Sequence, residues 1–369
     1  MPVRVLMLSK ACLVGIYQRK LEAIAAQPSV DALRVLVPPS WQDERGVTHL
    51  ERAHTDGYDL EVTPIRLNGN FHLHFYPRFA ADLQDFQPDI VHLDEEPYNL
   101  ATWLALRAAR HMGAKSLFFS WQNILRRYPP PFAWGERWVL RQVDYALMGT
   151  ESAAAVWRAK GYAGPLSVVP QFGVDVARFT PPETRPADRL RIGYVGRLVH
   201  EKGVDLLQAA LADWDAPWEL HIVGGGPTEK DLRAQASRLG IAPRVTFHGQ
   251  VASLDMPDHF RNLDVLVIPS RTMPNWKEQF GRVIIEAMAS EVLVVGSNSG
   301  AIPDVIGDAG LVFPENDVAA LGERLRWAGE HPHERAAIAQ QGRLRALGMF
   351  TQEQIAQQTV DAYRAMMAQ

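Results

Sequence analysis

Short runs rich in β-branched residues and leucine alternate with longer segments of helical period along almost the whole chain. That alternation predicts parallel sheets joined by crossover helices on both faces, an α/β architecture. In the first half the predicted strands are VRVLML, LRVLVP, DIVHL, KSLFF, DYALMG and LSVVP, the last ending near Pro170. In the second half they are RIGYVG, ELHIVG, RVTFHG, DVLVIP and VLVVGS. The pattern runs twice, so two domains are expected. Between the halves, residues 169–191 carry Pro181, Pro182 and Pro186, and proline disfavours helix in its predecessor, so this stretch reads as a linker. The expected division is residues 1–172, residues 173–349, and a last helical segment, 350–369, that crosses back onto the first domain.

The length of 369 residues agrees with two cores, since single cores stop growing below that size, and a cleft between the domains is expected. With 38 Lys and Arg against 42 Asp and Glu and no long basic run, a nucleic-acid partner is not expected. The single cysteine, Cys12, excludes an internal disulfide framework and suits a reducing compartment. No apolar run approaches the roughly 18 residues of a membrane span, and the opening MPVRVLMLSK reads as a strand rather than a signal peptide, so a cytoplasmic protein is expected. Residues 126–142 mix Arg126, Arg127, Arg137 and Arg141 with Phe132, Trp134 and Trp138. This segment reads as a proline-rich loop leading into an amphipathic helix, and it raises peripheral contact with the inner membrane face as an alternative.

Ligands of open α/β sheets settle outside the carboxyl ends of the strands, which gives weight to the strand-to-helix loops. YVGRLVHEKG places Gly196, Arg197, Lys202 and Gly203 in such a loop, and two cations five positions apart suit the phosphates of a diphosphate. The loop is no P-loop, because Gly203 stands where that motif needs Ser or Thr. HIVGGGPT offers Gly224, Gly225 and Gly226 as bare backbone, with a tight turn ahead of Pro227 as the plainer reading. His248 and Gly249 follow the third strand, and that histidine reads as packed or capping. WKEQFGRVIIEAMAS then sets Glu278 in a loop and Glu286 in the first turns of a helix starting near Arg282, with Phe280 and Gly281 between. Two readings stay open for the acids: acceptors for the hydroxyls of one ligand, or the acid and nucleophile of a glycosidase-like pair.

PQFGVDVARF at 170–179, GRLVHEKG at 196–203, IVGGGP at 222–227 and EQFGRVIIEAMA at 278–289, taken together and in this order, resemble glycosyltransferase family 4. The resemblance implies the GT-B fold, two facing Rossmann-like parallel-sheet domains with a cleft between them. It implies retaining transfer of a sugar from a nucleotide donor, a UDP- or GDP-sugar, to an acceptor hydroxyl. By the same resemblance Arg197 and Lys202 bind the donor diphosphate, Glu278 the hydroxyls of the transferred sugar and Glu286 those of the ribose. Gly196 and Gly225 line the donor, the backbone of Phe280, Gly281 and Arg282 meets sugar and phosphate, and Gly249, Gln250 and Val251 lie along the base. No metal and no cofactor are implied, and the acceptors of the family span glycans, lipid-linked molecules and small metabolites.

The first half is expected to carry the acceptor. Lys10, Gly15, Tyr17, Gln18 and Lys20 follow its first strand, and Gly15 stands alone where the family often has a glycine pair. His92, Asp94, Glu95, Glu96 and Tyr98 follow the strand DIVHL, where Glu95 or Glu96 can assist in deprotonating an acceptor; helix capping is the plainer role. The acids are read this way rather than as a cation site. Gln122 aligns with a histidine that the family commonly places near the transferred sugar, and an amide can hydrogen-bond a hydroxyl but cannot act as a base. Rival readings are a nucleotide-sugar epimerase or a phosphorylase of the same fold, and a non-catalytic sugar- or nucleotide-binding protein that closes around its ligand.

Overall fold

The computed structural model describes residues 2–43, 46–185, 188–252 and 255–368. The chain divides into two compact units, Met1–Phe172 with Gln352–Gln369, and Gly173–Thr351. Pro186 of the expected linker lies outside the described residues. The described residues of 169–189 form no helix or strand of their own, and Val174 makes an isolated parallel bridge to Thr351.

The first unit holds β1 (Val3–Leu8), β2 (Val30–Val37), β3 (Ser40–Asp43), β4 (Gly46–His49), β5 (Asp59–Val62), β6 (Ile90–Leu93), β7 (Lys115–Ser120), β8 (Tyr145–Met148) and β9 (Leu166–Val168). Seven of these form one sheet in the order β5-β2-β1-β6-β7-β8-β9, with β3 and β4 as a separate antiparallel hairpin. Every pairing within the seven-stranded sheet is parallel. β6 and β8 are buried along their whole length, as expected of strands covered on both faces. Side chains alternate between the two faces: Leu6, Leu8, Val91 and Phe118 pack under the helices Phe79–Phe86 and Leu100–Met112, while Val5, Met7 and Leu117 face the other way. On that second face the helix Gln352–Met367 lies against the helix Arg19–Ala25 and buries Ile355, Val360 and Tyr363.

The second unit holds β10 (Leu190–Val195), β11 (Trp218–Val223), β12 (Val245–Gly249), β13 (Val265–Ile268), β14 (Leu293–Ser297) and β15 (Leu311–Phe313). They are parallel throughout, in the order β12-β11-β10-β13-β14-β15, which is the doubly wound Rossmann order. In both sheets the strand order reverses beside the first strand, between β1 and β6 and between β10 and β13. Crossover helices diverge to opposite faces at such a switch point, and the loops above it frame an opening at the carboxyl edge.

All eleven strands read from the sequence are present. β5, β15 and the β3–β4 hairpin were not foreseen, because runs such as DLEV and LVF are too short to carry a period. The segment 126–142 forms a loop followed by the helix Phe132–Gln142, as read. Its aromatic residues divide: Phe132 packs against His72 and Trp103, Trp138 leans on the core, and Trp134 stands 61% exposed. Cys12 is fully buried, and burial pushes its thiol up to about 11, so it is chemically quiet.

The returning helix is tied to the sheet by a buried hydrogen bond between His92 Nδ1 and the Tyr363 hydroxyl, 2.7 Å. Burial first, and then the Lys20 charge, hold the His92 imidazole well below its usual range, so it stays neutral in the fold. The unfolded chain takes up that proton below about pH 6.5, so this group contributes stability above that pH that is lost as pH falls. Tyr363→Phe is expected to lower unfolding free energy by about 1–3 kcal/mol, read by urea denaturation at pH 7.5. His92→Gln is expected to flatten the loss of stability of the native chain between pH 7.5 and 5.5.

Candidate functional site

In the second unit the loops after β10, β11, β12, β13 and β14 all leave the carboxyl edge of the sheet, and the sequence-expected donor residues sit on the first four. After β10 the chain passes Gly196 and the exposed Arg197, turns through a 3-10 segment at His200–Lys202, and enters the helix Val204–Leu211. After β13 it runs through Ser270 and Trp276 to Glu278, and Gly281, at φ +75°, caps the helix Arg282–Ala289. The helix start matches the expectation from the sequence.

Lys202 and Glu278 meet across the switch point. Lys202 Nζ lies 2.6 Å from Glu278 Oε2, and the Ser270 hydroxyl donates to the same oxygen at 3.1 Å. The Trp276 ring lies beneath the ammonium at 4.9 Å. Glu278 is 7% exposed, so its charge is held by these partners rather than by water. Glu286, equally buried, pairs instead with Arg282 at 3.0 Å; desolvation raises its carboxyl and the Arg282 charge opposes that rise. Each acid is thus paired with a cation, Glu278 with Lys202 and Glu286 with Arg282.

Backbone packing explains the glycines better than ligand access does. A Cβ on Gly224 would lie 1.9 Å from the Gly196 carbonyl oxygen, and one on Gly226 2.2 Å from that of Leu198. The same loops are stitched by Leu198 N–H to Gly225 C=O and by Thr228 N–H to Leu198 C=O, at 3.0 and 3.1 Å. The bare backbone expected of the triglycine thus reduces to Gly225, where a Cβ would meet only the Gln250 side chain, at 3.6 Å. Gly249, at φ +69°, accepts from Gly224 N–H at 2.7 Å, which leaves Gln250 exposed and Val251 half-buried beyond the strand. Of the stretch that follows, Ser253 and Leu254 lie outside the described residues. Phe280 turns inward onto Phe350, ring centroids 5.9 Å apart. Arg197 accepts a hydrogen bond from the Tyr194 hydroxyl at its carbonyl, 2.7 Å.

Sequence reasoning missed what holds Glu278. Gly300, at φ +58°, brings the loop after β14 so close that a Cβ would lie 2.1 Å from the Glu278 carbonyl oxygen, and Ala301 N–H donates to that oxygen at 3.0 Å. Ser270 was missed as well. The dipeptide Ser299-Gly300 at the end of a strand was the available signal for the turn.

In the first unit the loops after β1 and β6 meet in the same manner. Lys10 forms an ion pair with Glu95, which also receives Tyr76 O–H at 3.1 Å and Asn99 Nδ2 at 3.2 Å and contacts His74 Nε2 at 3.2 Å. Burial pushes the Glu95 carboxyl up, but the Lys10 and His74 charges outweigh it and bring it to about 2. Glu96, the next residue, accepts from Ser120 O–H at 2.6 Å and Trp121 N–H at 3.2 Å. Burial dominates there, over those two bonds and the fields of Lys10 and Lys160, and raises it to about 7. Asp94 takes Ser9 O–H at 2.5 Å and Gln171 Nε2 at 2.6 Å. Gln122 donates from its backbone to Ser120 Oγ and from Nε2 to Ile124 C=O, while its buried Oε1 has no partner among the described residues.

The remaining first-unit candidates are occupied by internal contacts. Gly15 N–H donates to Glu51 at 2.7 Å, and Tyr17 stacks on Phe172 with centroids 3.8 Å apart. Gln18, fully buried, bonds Cys12 and Glu51 carbonyls, and Lys20 bonds the Gln171 carbonyl at 2.8 Å. Ser9, His74, Tyr76, Asn99, Ser120 and Gln171 belong to this cluster and were not foreseen; single polar residues at strand ends carry no pattern. No group of three or more His, Cys, Asp or Glu among the described residues is placed to hold a metal ion.

Two family models match consecutive parts of the chain: Glycosyltransferase Family 4 over residues 37–178, and Glycosyl transferases group 1 over residues 176–345. The chain belongs to glycosyltransferase family 4. Among relatives in the family, the GDP-mannose-dependent alpha-(1-6)-phosphatidylinositol monomannoside mannosyltransferase of Mycolicibacterium smegmatis is 35% identical over 191 residues, 47% of this chain. The chain spans about half the length of that relative, 50%. The lipopolysaccharide core biosynthesis mannosyltransferase LpsB of Rhizobium meliloti is 28% identical over 258 residues, 63% of this chain and 68% of LpsB. In fold, the sucrose-phosphate synthase of Thermosynechococcus elongatus superposes with a TM-score of 0.73 over 99% of each chain at 21% identity. A glycosyltransferase of Rickettsia africae does so at 0.76, over 99% of each chain, at 16% identity. The two Rossmann-like units are thus those of the GT-B class.

Gly300→Ala is expected to strain the turn that holds Glu278, through both the positive φ and the contact with its carbonyl. An unfolding free energy lower by about 1–3 kcal/mol is expected in thermal or urea unfolding, whereas Gly225→Ala, with open space before it, is expected to change stability by under about 1 kcal/mol.

Proposed function

We propose that the protein is a retaining glycosyltransferase that moves a hexose from a nucleotide sugar to an acceptor hydroxyl in cell-surface polysaccharide or glycolipid synthesis. The observation that carries this reading is the half-buried Lys202–Glu278 pair at the carboxyl edge of a sheet of Rossmann order, with the exposed Arg197 in the same loop as Lys202. Sugar-phosphate cleavage places negative charge on the departing diphosphate, and cations fixed there stabilise the transition state more than the ground state. Lys202 and Arg197 take that role. Glu278 orients the transferred sugar through its hydroxyls while keeping the Lys202 ammonium in place, and Glu286 receives the ribose hydroxyls. The backbone of Phe280 to Arg282 lines the phosphates and Gly249 to Val251 the base. Retention follows from attack on the face of the departing phosphate, which accepts the acceptor proton and requires no protein nucleophile.

The mannosyltransferase relatives favour a GDP-mannose donor, with a UDP-sugar as the other choice; Anabaena HepE, a fold neighbour with a TM-score of 0.74, was crystallised with UDP. The first unit receives the acceptor. There Glu96 polarises the attacking hydroxyl, and Gln122 Oε1, buried with no partner among the described residues, accepts a hydrogen bond from a sugar hydroxyl. Glu95, saturated by Lys10, His74, Tyr76 and Asn99, is a poor base and holds the loop instead. The protein acts in the cytoplasm with peripheral contact at the inner membrane face. No helix among the described residues is long and apolar enough to cross a membrane, and Trp134 and Leu125 stand exposed beside Arg126, Arg127 and Arg137.

Lys202→Ala is expected to lower turnover by about two orders of magnitude, near 3 kcal/mol of transition-state stabilisation, in a coupled assay of nucleoside diphosphate release. Near-normal turnover would remove Lys202 from its role. Titration with GDP, UDP and their sugars separates the rivals: tight nucleotide binding with no turnover of any donor supports a binding protein. The acceptor half of the reading has its own signature in pH. Ionised Glu96 is a much stronger acceptor for the attacking hydroxyl than its protonated form, so kcat/KM should rise with pH through an apparent value near 7. Glu96→Gln is expected to lose that step and at least about tenfold in rate at pH 8, while Glu95→Gln keeps the step; a step that survives in Glu96→Gln rules Glu96 out.

A further inference from the structure

A groove of about 520 Å³ runs along the first unit between the helices Phe79–Phe86 and Leu100–Met112. That volume falls within the range of small-molecule sites, roughly 300–1,000 Å³. Its floor and walls are apolar: Leu8, Tyr76, Phe79, Leu83 and Ala105, all buried, with Leu104 43% exposed at the mouth. Both helices descend from the carboxyl edge of the parallel sheet, so the groove is elongated. At 1.5 Å per residue, Ala101 to Met112 spans on the order of 16 Å. The exposed side chains of Arg107 and His111 also line it, and no acidic residue does.

One residue joins the groove to the cluster proposed for the acceptor. The Tyr76 ring forms part of the groove wall while its hydroxyl donates to Glu95, the partner of Lys10. A long apolar chain lying in the groove would thus share a wall with the polar residues assigned to the acceptor, and the guanidinium of Arg107 would stand ready for an anionic group. A slot for a nucleotide or a sugar would need polar groups converging inside it, which this groove lacks.

We infer that the groove holds one acyl chain of an anionic, lipid-linked acceptor, with Arg107 at its charged group. This rests on the reading of the first unit as the acceptor side, and it adds the acceptor class: an amphiphile with a chain long enough to fill a linear slot. Each methylene withdrawn from water adds to binding, so the chain supplies affinity that a bare sugar cannot.

The test uses the full chain and the fluorescent fatty acid cis-parinaric acid, with its methyl ester as the uncharged control. The wild type is expected to bind the acid several-fold more tightly than the ester. Ala108→Trp, which fills the groove from a half-buried position, is expected to weaken both at least tenfold. Arg107→Glu is expected to erase the preference for the acid while leaving the ester bound. Unchanged affinity in Ala108→Trp overturns the inference, as does equal affinity of the wild type for acid and ester. Sedimentation of the wild type and Ala108→Trp provides a further control: a dimer that Ala108→Trp dissociates, with no probe bound, assigns the groove to a second copy and also overturns it. Titration with GDP on the same samples reads the donor side separately, so a wild type that binds no fatty acid while nucleotide binding and transfer to water-soluble acceptors are intact removes the groove and leaves the transferase reading standing.

Discussion

The structure depends at two places on one kind of interaction, a lysine and a glutamate paired across a topological switch point. In the first unit Lys10 follows β1 and Glu95 follows β6; in the second Lys202 follows β10 and Glu278 follows β13. Both strand pairs flank the reversal of strand order, where diverging crossover helices open the carboxyl edge. Charges placed there are largely withdrawn from water and are tolerated only when paired and hydrogen-bonded. The pairs differ in what surrounds them. Tyr76, Asn99 and His74 close around Glu95 and leave none of its side chain exposed, whereas Glu278 keeps 10% of its side chain exposed.

Holding Lys202 and Glu278 together, 76 residues apart in the chain, requires the loops to pack backbone against backbone. Glycine is the residue that permits it. Gly224 and Gly226 seat the loop after β11 on the loop after β10, and Gly300 seats the loop after β14 on the peptide of Glu278. The glycines that looked in the sequence like room for a ligand are in most cases room for another loop. The rigidity they create is what electrostatic stabilisation of a leaving group requires, since donors fixed in advance need no reorganisation during the reaction.

Glu95 and Glu96 make the same point about charge. They are adjacent and chemically identical, yet one is drawn to about 2 and the other raised to about 7. Both follow the strand Ile90–Leu93 in an irregular loop that carries them to different partners. Glu95 meets an ammonium and an imidazole, while Glu96 meets a hydroxyl and a backbone N–H that offset only part of its burial. The sequence reading held both as equal candidates because nothing local separates them. Likewise Gln122 could be named from its alignment, but its unpartnered Oε1 emerges only once Ser120 and Ile124 have taken its other groups.

Alternating hydrophobic runs, a proline-rich joint and four ordered motifs were enough to determine two parallel α/β units, the family and the loops that bear the candidate chemistry. These are properties of local period and of backbone chemistry, and each is written within about ten to twenty consecutive residues. The tertiary structure decided which groups in those loops are partners: that Glu278 belongs with Lys202 and Ser270, that Glu286 belongs with Arg282, and that Tyr76 joins an apolar groove to Glu95. The physical reason is that pairing, burial and the resulting shifts in proton affinity depend on distances between segments far apart in the chain. Strand order sets those distances, and no local pattern encodes them.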